Sequence, residues 1–252
     1  MQIHQIRNAT IVVKYAGKKF LIDPMLAEKG TFSPFPNSPR QDQNNPLVDL
    51  PMSINDIIDV DAVIVTHLHH DHWDDAAKEA LPKKIKLYVQ NEEDATILQA
   101  DGFQDVEILK EDTIFEDIQL IKTNGEHGRG PMVELAGQVC GVVFKHSNEK
   151  TLYVAGDTVW YEGVQEVIDA HNPSIIVVNA GDNQFHEGGS LVMGKEDIYE
   201  VYKAAPNAKI ISVHMEAVNH WALSREELKN FIEEKEISSH VLIPDDGQSY
   251  TF

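Results

Sequence analysis

The chain is poor in several things, and each shortage excludes something. Its 252 residues include one cysteine, Cys140, so no disulfide can form within it. A chain of this size buries enough apolar surface to do without one, and a lone thiol fits a reducing compartment. No uninterrupted apolar run reaches the roughly 18 residues that a membrane span requires. The start, MQIHQIRNATIVVKYAG, lacks the basic, apolar and small-residue succession of a signal peptide. A cytoplasmic protein with no membrane partner is expected. Basic side chains are scarce as well: 21 Lys and Arg stand against 41 Asp and Glu, a formal net charge of −20. A field of that sign repels phosphate backbones and anionic lipid. The basic stretch Lys83-Lys84-Ile85-Lys86 is short enough to be a solvated turn. Nucleic-acid partners are therefore disfavoured, a small-molecule substrate is expected, and a homo-oligomer is compatible with what is seen.

Repeats and low-complexity tracts are also missing. What is present is a succession of short apolar runs and amphipathic stretches. Residues 10–14 and 19–22, joined across Ala16-Gly17, read as a β-hairpin. Residues 27–55 hold Pro34, Pro36, Pro39, Pro46 and Pro51, a density that blocks regular structure and implies a long ordered flap. Beyond it, strands are expected at 62–65, 86–89, 106–109, 118–122, 139–145, 151–155, 175–179, 210–213 and 240–243. Helices are expected at 74–80, 92–99, 163–170, 195–204 and 225–234, the last opened by a capping box, Ser224-Arg225-Glu226-Glu227. Strands and helices interspersed in this way predict a two-sheet α/β arrangement in one domain.

The chemistry concentrates in VDAVIVTHLHHDHWDD, residues 60–75. A buried strand, Val63-Ile64-Val65, runs straight into His67, His69, His70, Asp71 and His72. Neutral imidazole and carboxylate are good ligands for zinc and similar divalent ions. On an extended backbone His67 and His69 point the same way, and Asp71 and His72 follow after a turn. One ion rarely takes four ligands from six consecutive residues, so two neighbouring ions suit the spacing better. The remaining ligands must then come from elsewhere in the chain.

The segment THLHHDH resembles the signature of the metallo-β-lactamase-fold superfamily of metal-dependent hydrolases. Gly125-Glu126-His127-Gly128, Tyr153-Val154-Ala155-Gly156-Asp157-Thr158 and Ser212-Val213-His214 extend the likeness over nearly the whole chain. HLHHDHWD and VHMEAVNH look most like the branch that includes the ascorbate-phosphate lactonases. The resemblance implies an α/β fold, a four-layer αβ/βα sandwich of the metallo-β-lactamase type, spanning residues 1–252 as a single domain. It also implies one ion held by His67, His69 and His127, and a second by Asp71, His72 and His214, with Asp157 bridging. The two divalent ions are zinc foremost, with manganese or iron also suited to nitrogen and oxygen donors. Asp71 and Asp157 are thus expected to serve catalysis as well as binding.

Other residues carry weaker expectations. Asp182, in Val178-Asn179-Ala180-Gly181-Asp182, shares the strand-end context of Asp157, but Gly-Asp-Thr at 156–158 matches the family and favours Asp157 as the bridge. His220, six residues past His214, is a candidate for substrate contact or proton transfer, with a structural hydrogen bond as the alternative. Arg40 in the flap and Arg129 beside His127 are candidates for an anionic substrate group, against ordinary salt bridges. Asp23 is a candidate acceptor that orients a ligand histidine, or a turn former before Pro24. Trp73, Trp160 and Trp221 either wall the pocket or pack the core. His70 is expected to face solvent or support the ligands, and His186 lies in a glycine-rich loop. His4, His146, His171 and His240 read as surface or cap residues.

The expected function is hydrolysis by a hydroxide generated at a binuclear metal centre, on a small ester or lactone, with or without a phosphate group. A phosphodiester is the next substrate class. The rival from a different class is a non-catalytic metal-binding or regulatory protein.

Overall fold

The structure is a computed structural model that describes all residues, 1–252. The first sheet is built from β1 (Gln2–Arg7), β2 (Thr10–Tyr15), β3 (Lys18–Ile22), β4 (Ala62–Ile64), β5 (Lys86–Val89), β6 (Asp105–Ile108) and β14 (Ser249–Thr251), in the order β14-β1-β2-β3-β4-β5-β6. The second comprises β7 (Thr113–Phe115), β8 (Ile118–Asn124), β9 (Cys140–Lys145), β10 (Leu152–Val154), β11 (Ile175–Asn179), β12 (Lys209–Val213) and β13 (Val241–Leu242), in the order β13-β12-β11-β10-β9-β8-β7. Each sheet has an antiparallel half and a parallel half. The parallel pairs are β3-β4, β4-β5 and β5-β6 in one sheet and β10-β11, β11-β12 and β12-β13 in the other. The helices are α1 (Ile54–Ile57), α2 (Asp75–Ala80), α3 (Glu92–Ala100), α4 (Met132–Ala136), α5 (Glu162–His171), α6 (Lys195–Ala204) and α7 (Arg225–Glu234).

Three apolar clusters define four layers. Between the sheets, Val13, Phe20, Ile64 and Tyr88 of the first meet Leu120, Phe144, Val154 and Val177 of the second. On the outer face of the first sheet, Val63, Val65 and Leu87 pack with Ala77 of α2 and Leu98 of α3. On the outer face of the second, Val143, Ile176 and Ile210 pack with Val164 and Ile168 of α5, Ile198 of α6 and Leu228 of α7. Strands buried on both faces read as continuous apolar runs, which is why β4, β5, β11 and β12 stand out in the sequence. This is the expected αβ/βα sandwich.

The interior elements fall where the sequence places them: β5, β11, α6 and α7 match to the residue, and Ser224 and Glu227 form the capping box. Five elements were not anticipated, namely β1, β7, β14, α1 and α4. The flap expected over residues 27–55 carries no strand, only an isolated bridge between Phe32 and Asn45, and it ends where Ser53 caps α1 at Ile54. Its root is tied down by Arg7, whose buried guanidinium donates to the carbonyls of Val48, Met25 and Ala27 at 3.0, 2.7 and 2.8 Å.

Candidate metal centre

The ligand-rich segments all leave carboxyl ends of strands, the edge at which parallel sheets present their sites. Past β4 the chain exits between the sheets, and Thr66 is held by Asp23, whose Oδ1 accepts from its backbone N at 2.7 Å. His67 and His69 follow in extended chain. A tight turn then closes, with the backbone N of His72 and of Trp73 each donating to His69 O at 2.9 Å. Asp71 and His72 emerge on its far side, and Asp74 starts α2 by accepting from Ala77 N. The turn splits the cluster into two pairs, as the spacing predicts.

His127 comes from the loop after β8, Asp157 from the end of β10 and His214 from the end of β12, and all three reach the first cluster. The donor atoms of His67, His69 and His127 lie within 4.8 Å of one another, as do those of Asp71, His72 and His214. Asp157 stands between the two sets. Its Oδ2 is 3.2 Å from His72 Nε2, 3.5 Å from His127 Nε2 and 3.9 Å from His67 Nε2. Its Oδ1 is 3.8 Å from His214 Nε2. Asp71 Oδ2 is 3.1 Å from His214 Nε2 and 3.8 Å from His72 Nε2.

These spacings fit bound cations. A tetrahedral shell with bonds of 2.0–2.1 Å places its donors about 3.3–3.4 Å apart. His72 Nε2 and His214 Nε2 face each other at 3.2 Å, and His67 Nε2 is buried without any partner. Buried imidazole nitrogens left facing one another or nothing are costly in a protein that binds no ion.

Three of the five imidazoles, those of His67, His72 and His127, have their other nitrogen directed by a neighbour. His72 Nδ1 is 2.8 Å from Asp23 Oδ2, an oxygen that also accepts from Thr66 Oγ1 at 2.7 Å. Thr66 Oγ1 in turn lies 3.1 Å from His67 Nδ1. One carboxylate therefore sets the ring orientation of two histidines, His72 directly and His67 through Thr66. His127 Nδ1 is 3.0 Å from Leu191 O. Asn179, the last residue of β11, donates to Asp157 Oδ1. Asn8, in the turn after β1, donates to Asp71 O and Oδ2 at 3.1 and 3.2 Å, and its own carbonyl accepts from His214 N at 2.8 Å. His214 Nδ1, by contrast, is buried with no partner.

The electrostatics run the same way. Burial lowers the pKa of His67, assisted by His72 and His69, and burial likewise lowers that of His69, so both are neutral, ligand-ready rings. Burial also opposes protonation of His72, but Asp157, Asp23 and Asp71 overcome it and hold its pKa well above the ordinary value. Burial resists ionisation of Asp157 and Asp71, yet the nearby histidines keep both well below the usual carboxylate range. A proton trapped among three carboxylates is one that a cation can replace.

The weaker candidates separate. His220 is buried beside the centre, edge-on to Phe35 at 4.6 Å and stacked on Phe185 at 6.0 Å. Burial pushes its pKa down to about 4. Arg40 donates to the carbonyls of Asn219 and Trp221 at 3.1 and 2.8 Å and lies 3.7 Å over the Trp221 ring. Arg129 is paired with Asp197 at 2.7 Å and donates to Trp160 O at 3.0 Å. Both arginines are thus engaged by the protein itself. Asp182 is not among the cluster's donors: its carboxylate lies against Gly194, at the amino end of α6. His70 is exposed near Phe32, and His186 is exposed with its backbone N donating to Asn37 O. Trp73 is in the core against Phe103. Asn8, Asn179 and Thr66 were missed by sequence reasoning. Only Asn179 and Thr66 had a signal, each adjoining a strand that ends in the site.

A two-sheet sandwich that gathers five histidines and two aspartates at its strand ends defines a metal-dependent hydrolase of the metallo-β-lactamase fold. The family model described as Beta-lactamase superfamily domain matches residues 18–215, and the chain belongs to that family. It is 69% identical over 254 residues to the UPF0173 protein YddR of Bacillus subtilis (strain 168), covering 100% of both. Among solved structures it is similar to the isothiocyanate hydrolase from Delia radicum gut bacteria, with 44% identity, a TM-score of 0.96, and 100% of this chain and 99% of the other covered. A possible metal-dependent hydrolase from Veillonella parvula DSM 2008 gives 41% identity and a TM-score of 0.97, over 100% and 99% of the two chains. No helix is long and apolar enough to cross a membrane.

Proposed function

We propose that the protein hydrolyses small, neutral electrophiles carrying an apolar substituent, isothiocyanates first among them, at a centre of two divalent ions. The observation that carries this reading is the combination of a two-set donor cluster spanned by Asp157 with an approach that offers aromatic rings and no free cation. Phe35 and Phe185 flank His220, while Arg40 and Arg129 are both engaged elsewhere. A phosphorylated lactone or a phosphodiester would gain from an arginine free to pair with its phosphate. A neutral isothiocyanate would not. The isothiocyanate hydrolase relative supports the same choice.

Divalent ions held by this donor set would supply Lewis acidity and a water ionised near neutral pH; zinc is the first choice among those suited to the ligands. The chain's own residues do the rest. His67, His69 and His127 form one wall, Asp71, His72 and His214 the other, and Asp157 fixes their separation. In the overall reaction the water oxygen joins the central carbon of R–N=C=S and both water protons pass to nitrogen. The carbon–nitrogen bond then breaks, giving R–NH2 and O=C=S. Asn183 Nδ2 lies 3.3 Å from His220 Nε2, and His220 Nδ1 is buried without a partner. We assign the His220 ring, between Phe35 and Phe185, to the wall against which the substrate rests.

The test is a panel of benzyl isothiocyanate, a γ-lactone, phenyl acetate and bis(4-nitrophenyl) phosphate, run on protein whose metal content is measured by elemental analysis. Release of benzylamine by wild type, lost in Asp157→Ala with circular dichroism unchanged, is the expected result. Full metal content with turnover of the lactone or the phosphodiester alone would reject the substrate assignment. Well under one ion per chain after reloading would reject the centre.

A further inference from the structure

Helix α4 is an oddity in a chain that hides its apolar residues. None of its five residues is buried, no side chain caps it, and Leu135 stands 77% exposed. Its attachment runs through Met132, whose side chain lies where Cβ atoms on Gly128 and Gly188 would fall. Both glycines have left-handed backbones, with φ of 100° and 103°, so neither position readily takes another residue. The helix is therefore seated on two loops, the one that carries His127 and the one that carries Phe185.

Between this helix, the flap and the second loop lies a cleft of about 520 Å³, within the usual size of small-ligand sites. Pro36, Pro131, Met132, Leu135 and Phe185 supply its apolar walls. The cleft adjoins the loops that build the metal centre. Its lining residue Arg129 is two positions past His127, and Phe185 stacks on His220 at an interplanar angle of 13°. The Arg129 guanidinium is tied to Asp197.

We propose that this cleft binds the apolar substituent of the substrate, and that Met132, Leu135 and Phe185 set the preference for its size. The inference rests on the reading of the protein as a hydrolase of neutral electrophiles. It adds where the non-reacting end sits. Leu135 is grouped with Pro131, Met132 and Phe185 in one apolar lining, which an aryl or alkyl group would cover.

Two measurements test this. The first is the ratio of kcat/KM for phenethyl over methyl isothiocyanate. Burial of the larger group is worth roughly fourfold per methylene-sized unit, so wild type should favour phenethyl by at least about tenfold. In Leu135→Asp the ratio should fall on the order of tenfold, while Ile114→Asp, the same change at an exposed site on β7, should leave it alone. The second needs no turnover: saturation-transfer NMR with 2-phenylethanol should give a signal with wild type and Ile114→Asp that Leu135→Asp loses. If isothiocyanates are not turned over but this signal behaves as stated, the substrate assignment fails and the cleft stands. If the 2-phenylethanol signal in Leu135→Asp equals that of wild type, the cleft proposal is overturned whatever the enzyme hydrolyses.

Discussion

Asn45 and Asn219 are paired twice, 174 positions apart: Asn45 Nδ2 donates to Asn219 Oδ1 at 2.9 Å, and Asn219 N donates to Asn45 Oδ1 at 2.7 Å. Asn219 is fully buried and does more. Its Oδ1 accepts from Phe35 N at 2.8 Å, and its Nδ2 donates to Ser38 Oγ and Pro39 O at 2.8 and 2.7 Å. One side chain thereby pins both arms of the proline-rich flap to the loop between His214 and His220. Replacing Asn219 by Ala leaves several of these groups unpaired, at about 1–3 kcal/mol each where they stay buried. The Asn219→Ala protein should melt lower and exchange amide hydrogens in residues 28–46 faster than wild type. Unchanged exchange there would mean that the flap is held by something else.

The sequence shows the strand ends and the ligands better than it shows what steadies them. Parallel interior strands such as Ile175–Asn179 are apolar throughout and announce themselves. β1, QIHQIR, does not, because its buried positions include Gln5 and Arg7, and Arg7 finds its partners at Met25, Ala27 and Val48, 18 to 41 positions away. β14 is the polar triplet SYT at a sheet edge, and β7 is three residues long. The ligands are legible because imidazole and carboxylate are the donors that the chemistry needs. Asn8 is not, since an asparagine in a turn looks like any turn residue until Asp71 and His214 are seen on either side of it.

Asp23 should prove nearly as important as a ligand. It accepts from Thr66 N, Thr66 Oγ1 and the ring of His72. Asp23→Asn keeps the shape but offers an N–H where an acceptor is needed, so metal affinity or activity should drop by roughly 10–100-fold. Thr66→Val, which releases His67 alone, should lose less. Competition with a chromogenic chelator measures both; equal affinity in wild type and Asp23→Asn would contradict the orienting role.

Metal and pH should be coupled through His72. Its ordinary pKa of 6.5 is raised in the folded, metal-free chain, burial being overcome by Asp157, Asp23 and Asp71. That stabilisation is full below the unfolded value and fades as pH climbs through the raised one. Asp71 and Asp157, lowered from 3.8, contribute above that value and lose their contribution as pH falls through their depressed ones. Metal-stripped protein should therefore lose melting temperature on the alkaline side, whereas loaded protein, in which an ion replaces the proton, should not. Loading should release protons into a weakly buffered solution between about pH 6 and 8. Metal affinity independent of pH over that range would be inconsistent with a proton among the carboxylates.

Cys140 lies fully buried in β9, its Sγ donating to Thr66 O at 3.5 Å, and burial pushes its thiol up to about 12. A thiol that neither ionises nor meets solvent does not react. Iodoacetamide and aromatic disulfides should leave the native protein unlabelled and fully active, and one thiol per chain should appear only in denaturant. Rapid labelling with loss of activity in the native state would reopen a role for sulfur.

Asp157 and Asp182 stand in matching strand-end contexts, and the fold gives them different work. Asp157 lies among His67, His72, His127 and His214, whereas Asp182 rests against Gly194 at the start of α6. That helix has no side-chain cap, and a carboxylate near its amino end is worth about 0.3–1 kcal/mol through the helix dipole. Asp157→Ala removes the side chain common to both donor sets, so it should cut bound metal sharply and abolish turnover. Asp182→Asn should keep its metal and most of its activity while melting slightly lower. Elemental analysis beside a melting curve separates the two. Loss of metal from Asp182→Asn comparable to that from Asp157→Ala would show that the bridge has been given to the wrong aspartate.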